Sequence, residues 1–185
     1  MKKTVSVSAV MVLALAAGLA CANEGDHEEC KLPPPYVGSA AFQKIKSLAG
    51  TWETPDPMTP GAMSKVVYDV TSNGSAVVER FSPGAPHEMV SVYHDEQGTL
   101  AMTHYCALGN QPHLTLASAS PESVTLAFST HNVINPKKED HMHSLKVTFL
   151  GSQQVKQEWS GYRGGKLEPP TVFMLTRVKE TAETR

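Results

Sequence analysis

The chain has 185 residues, 41% hydrophobic and 6% aromatic, with 16 Lys and Arg against 18 Asp and Glu. That length supports one hydrophobic core and not comfortably two. The slightly acidic balance argues against nucleic acid as a partner, because Lys137-Lys138, the one basic pair outside the first residues, is followed at once by Glu139 and Asp140.

Residues 1–22 read as a signal peptide. Lys2 and Lys3 form a charged start, Val5 to Ala20 is apolar apart from Ser6, Ser8 and Gly18, and Ala20-Cys21-Ala22 is a small-x-small cleavage site. No later apolar run approaches the roughly 20 residues needed to span a bilayer, so no transmembrane segment is expected. The expected destination is export to the periplasm or the medium. The alternative is lipid anchoring at Cys21, against which stands Gly18, placed where a bulky aliphatic is wanted. After cleavage two cysteines remain, Cys30 and Cys106. They are either a disulfide, which an oxidising compartment would preserve, or two separate thiols with Cys106 as a small apolar wall residue.

Residues 23–38 form an acidic and then proline-rich leader, with Glu24, Asp26, His27, Glu28, Glu29 and the run Pro33-Pro34-Pro35. A short helix follows: Ser39 caps it, Phe42, Ile45 and Ala49 share a face with Leu48 beside them, and Gly50 ends it. Such a helix would close one end of what comes next. From Gly50 onward the pattern is of short alternating strands: the Gly50-Thr51-Trp52 segment, interrupted by Pro55 to Gly61, then Lys65 to Thr71 and Ala76 to Phe81 around Ser72-Asn73-Gly74. The series continues as Glu88 to His94, Leu100 to Ala107, His113 to Ala117, Ser123 to Ser129, His141 to Leu150, Val155 to Gly161 and Thr171 to Val178. Most links are a few residues long, which predicts an all-β, antiparallel, up-and-down barrel of nine or ten strands. The barrel domain spans 39–179, and 180–185 is a C-terminal tail.

The short helix running into Gly50-Thr51-Trp52, with Arg177 inside Phe173-Met174-Leu175-Thr176-Arg177 on the last strand, resembles the calycin superfamily, and within it secreted bacterial lipocalin-like proteins. The resemblance implies that Gly50, Trp52 and Arg177 are structural, the guanidinium stacking on the indole to close the barrel end through a cation–π contact of about 0.5–2 kcal/mol. Lipocalins proper have eight strands and more aromatic interiors. The ten-strand haem-binding relatives, the nitrobindin-like proteins, carry a haem-ligating His near the end of the barrel. This chain has no His after His143, so the resemblance does not carry haem over.

Strand parity predicts what faces inward. Leu145, Val147 and Phe149 set the phase that carries His143 and His141; Leu100 and Met102 set the phase of His104 and Cys106; Val155, Gln157 and Trp159 share a third. Of Glu79 and Arg80 one must enter the barrel, and parity alone does not choose. The expected lumen lining is therefore Tyr68, Met102, His104, Cys106, His143, Gln157 and Trp159, an apolar wall with a few polar groups suited to a small, mostly apolar ligand. A second reading takes His104, His141 and His143 as zinc ligands, because residues i and i+2 on a strand lie about 6.6 Å apart and face one way. Three imidazoles and an open position would make a metal binder or a metal-dependent enzyme. A third leaves the barrel as scaffold for an envelope interaction module. No nucleophile elbow, zincin helix or phosphate-cradling loop is present, so no catalytic residue is assigned.

Overall fold

In a computed structural model of the chain, residues 32–179 are described, and the compact unit begins at Pro34. The signal peptide, Cys21, most of the leader including Cys30, and the tail from 180 onward lie outside the described residues.

The helix α1 spans Ala40–Lys46. Ser39 caps it as its composition requires, its Oγ accepting from the Phe42 N–H at 3.1 Å, while the same hydroxyl donates to Asp95 at 2.8 Å. Phe42 and Ile45 are fully buried. Lys44 and Lys46, in the last turn where a cation complements the helix dipole, reach the carbonyls of Ser120 at 2.7 Å and Val37 at 3.1 Å. The helix is thus tied at Asp95 to one strand turn and at Ser120 to another.

The strands are β1 (Gly50–Pro55), β2 (Met63–Thr71), β3 (Ala76–Phe81), β4 (Met89–Glu96), β5 (Thr99–Tyr105), β6 (His113–Ala119), β7 (Ser123–Phe128), β8 (His141–Phe149), β9 (Gln154–Arg163), β10 (Lys166–Leu167) and β11 (Thr171–Arg177). Each from β1 to β9 pairs antiparallel with the next, β9 pairs with β11, and β11 returns to β1. Ten strands thereby close a barrel in up-and-down order, the architecture the turn spacing predicted. The two-residue strand β10 pairs only with β9, at Lys166↔Arg163 and Leu167↔Tyr162, and forms a small flap on the rim. The sequence pattern treated that stretch as a connection, because its glycines and prolines mask a strand of two residues.

Alternation holds through most of the wall: Leu100, Met102, Leu114, Leu126, Leu145 and Leu175 are all essentially inaccessible. It breaks at two bulges, between Leu116 and Ser118 and between Met142 and Ser144. The second leaves His143 without a ladder partner, so the phase set by Leu145 does not run unbroken to His141. Arg177 lies opposite Trp52, with its guanidinium carbon 4.1 Å from the ring centroid. It also donates to the carbonyls of Ala49 (2.7 Å), Ser47 (3.1 Å) and Ser152 (3.0 Å). Gly50 has φ +118°, and a Cβ there would sit 3.0 Å from Arg177 Nη1, which explains the glycine at the start of β1. Among the described residues no helix is long and apolar enough to cross a membrane.

Candidate functional site

The barrel interior is filled by its own side chains. Tyr68, Met102 and Gln157, expected to line an open lumen, are 1%, 0% and 0% exposed and pack among Trp52, Tyr93 and Leu100. At the centre lies Glu79, which resolves the choice between it and Arg80: the carboxylate side chain enters and Arg80 faces out. Its two oxygens are separately served, Oε2 by the Tyr93 hydroxyl and Oε1 by the Gln157 amide at 2.9 Å. Gln157 also donates to the Tyr68 hydroxyl and accepts from the Trp159 indole N–H at 3.1 Å. The result is a buried polar chain from Tyr93 through Glu79 and Gln157 to Trp159. Burial raises the Glu79 carboxyl above its ordinary range, opposed by the hydrogen bonds from Gln157, Tyr93 and Tyr68, and it holds both tyrosine hydroxyls well above theirs. Sequence reasoning had Tyr68, Gln157 and Trp159 on the inner face but missed Tyr93; the alternation Ser91, Tyr93 in β4 carried the signal.

His104 also points inward, at 4% exposure. Its Nδ1 meets Ser91 Oγ at 3.0 Å and its ring lies 4.8 Å from the Trp159 ring. Burial lowers its pKa to about 4, so it is a neutral imidazole at physiological pH. Cys106 lies just past the end of β5 in a tight turn, its N–H bonded to Asn110 O at 3.0 Å and its carbonyl to the Gly109 N–H at 2.9 Å. It is half-buried, and burial pushes the thiol pKa up. A neutral imidazole and a protonated thiol do not form an activated nucleophile.

His141 and His143 come together, but not with His104. His141 is fully buried; its Nδ1 donates to the Glu139 carbonyl at 2.7 Å, which leaves Nε2 to accept from His143 Nδ1 at 3.3 Å. Phe128 and Tyr162 complete the cluster, with Tyr162 stacked on His141 at 5.3 Å and Phe128 on His143 at 5.4 Å. Burial lowers the His143 pKa, and the neighbouring His141 adds to this. Both histidines stand at the start of β8, two residues apart, beside the bulge between Met142 and Ser144. The three-imidazole set expected for zinc is therefore not assembled: His104 is engaged with Ser91 and Trp159 on β4 and β9 instead.

Beside this cluster, at the barrel end away from α1, a cleft of about 110 Å³ opens between the start of β8 and the β9–β10 flap. Trp159 and Met142 form its floor, Gly161 and Tyr162 one wall, and Leu108, Glu168 and Pro169 its rim. Gly161 keeps it open: a Cβ there would lie 3.1 Å from the His141 carbonyl and 3.5 Å from Met142 Sδ. The loops around it are pinned, Asp140 Oδ1 accepting from the Gly164 N–H at 2.8 Å and Asp140 O from the Asn110 side chain at 2.7 Å. Of the residues expected to contact a ligand, Trp159 lies in this cleft; Tyr68, Met102, His104, Cys106, His143 and Gln157 do not line it.

No protein-family model matches the chain, and no curated protein matches it. Among solved structures it is similar to "Crystal Structure of Rv2717c from M. tuberculosis", at 12% identity and a TM-score of 0.47, covering 77% of this chain and 100% of that one.

Proposed function

We propose that this protein is an exported, calycin-like binding barrel that takes a small, mostly apolar ligand at its open end and not in the depth of its lumen. The carrying observation is the cleft floored by Trp159 and Met142. Its 110 Å³ is well under the roughly 300–1,000 Å³ of sites for drug-sized ligands, yet near the about 150 Å³ of an apolar cavity that admits benzene. A ligand about the size of one aromatic ring fits, stacking on the Trp159 indole with its polar edge toward Glu168 and Asp140. The buried chain behind the cleft supports the reading: Gln157 fixes the Trp159 N–H, and Glu79 fixes Gln157, so the floor is preorganised. Export follows from the Lys2-Lys3 start and the Ala20-Cys21-Ala22 site.

The test is a titration of phenol, cyclohexanol and benzoate into ¹⁵N-labelled protein, observing the two indole N–H signals. The proposal predicts that the Trp159 signal shifts in a saturable way while that of Trp52, buried beneath Arg177, stays in place. No saturable shift of Trp159 with any of the three would defeat it.

A further inference from the structure

On the outer wall, away from the cleft, His94 and Glu96 project from β4 and His113 from β6. His94 Nε2 lies 3.1 Å from Glu96 Oε1 and His113 Nε2 lies 3.3 Å from Glu96 Oε2. The strand between them is small at the meeting point. Ala101 pairs with His94 on one side and Thr115 on the other, and although it lies on the outward phase between Leu100 and Met102 it is only 1% exposed. Side chains from β4 and β6 thus close over it.

We propose that His94, Glu96 and His113 form a binding site for a zinc-class divalent cation, clamping β4 to β6 across β5. The donor set is two imidazoles and one carboxylate, a combination that suits zinc and leaves a position open to water. Glu96 presents a different oxygen to each ring, Oε1 to His94 Nε2 at 3.1 Å and Oε2 to His113 Nε2 at 3.3 Å, so a cation between the rings would be held by both carboxylate oxygens. His113 is held from behind, its Nδ1 standing 3.2 Å from Thr103 Oγ1; with Nδ1 as the donor in that contact, Nε2 is left free to coordinate. The two ring centroids are 6.4 Å apart, where two imidazoles on one zinc ion stand about 5 Å apart. No three such donors among the described residues are already placed to hold a metal ion, and here closure requires two partly exposed rings, at 34% and 22% side-chain exposure, to approach each other.

The experiment is a zinc titration of the full chain without a purification tag, by calorimetry, with imidazole ¹⁵N spectra in parallel. One site is expected, with the resonances of His94 and His113 moving together, and with affinity falling at least tenfold in His94→Ala and in His113→Ala. A control, His131→Ala, which removes an exposed loop histidine, should bind as the wild type does. Ala101→Leu keeps every ligand but fills the space over which they meet, and it should also weaken binding tenfold. Zinc bound as tightly by the double variant His94→Ala/His113→Ala as by the wild type, or no binding below millimolar zinc, would overturn the proposal.

Discussion

Removing the Arg177 guanidinium should cost more than a surface cation ordinarily does. Arg177→Ala deletes a cation–π contact at 4.1 Å, which is worth about 1 kcal/mol at a half-exposed site. It also deletes three hydrogen bonds, to Ser47, Ala49 and Ser152, each worth about 1 kcal/mol before the freed carbonyls regain water. Allowing for that rehydration, the loss should be about 2–3 kcal/mol, or about 6–9 °C in Tm for a domain of this size. Arg177→Lys keeps the charge but cannot reach three carbonyls at once, and should lose about half as much. Pairing Arg177→Ala with Trp52→Phe in a double-mutant cycle should return a coupling of about 0.5–1 kcal/mol. Urea unfolding followed by far-ultraviolet circular dichroism measures all of these on one scale. A loss under about 0.5 kcal/mol in Arg177→Ala would refute the idea that this residue joins the helix end, β1, the β8–β9 turn and β11.

The neutral, buried His104 makes stability pH-dependent: because its folded pKa of about 4 lies below the ordinary 6.5, the unfolded chain takes up the proton first as pH falls. The stability is present above about pH 6.5 and lost between there and pH 4, amounting to about 3 kcal/mol. His104→Gln should lack that part of the acid sensitivity, and equal acid sensitivity in the two proteins would count against the assignment. Glu79 acts with the opposite sign. Its raised folded pKa gives stability that is present below the unfolded value and lost as pH rises through the folded value, so the stability of Glu79→Gln relative to wild type should grow between pH 4 and pH 8. A flat difference contradicts this. Glu79→Leu, which removes the acceptor of the Tyr93 hydroxyl and of one Gln157 amide N–H, should cost about 2–5 kcal/mol in urea unfolding, and a neutral result would mean the polar chain is dispensable.

What could be read from the residues was what depends on local period. The Ser39 cap, the turns around Asn73-Gly74 and Gln97-Gly98, and the alternation of Leu145, Val147 or Leu100, Met102 each specify their element within a few residues, and together they specify a meander. The pairing of Trp52 with Arg177 was legible from a motif and a strand position. How full the barrel is was not legible. Parity says which side chains point in, but whether Tyr68, Tyr93, Trp52 and Glu79 meet across the barrel depends on its radius and on the depth at which each strand carries them. The Met142–Ser144 bulge is a single inserted residue with no glycine to mark it, so the histidines at 141 and 143 appeared to continue a phase that the structure interrupts. The outer set of His94, Glu96 and His113 spans three strands, and only the registers His94↔Ala101 and Ala101↔Thr115 bring it together.

The central claim, a filled barrel with a small cleft at its open end, is tested most directly by ¹³C-methyl methionine spectra, because Met102 is buried in the core and Met142 forms the cleft floor. Spectra would be recorded while phenol and, separately, laurate are added. Phenol should move the Met142 methyl signal and leave that of Met102 unchanged, and laurate should leave Met102 unchanged as well. A laurate-dependent shift of Met102 would show a long chain entering the lumen and would contradict the account.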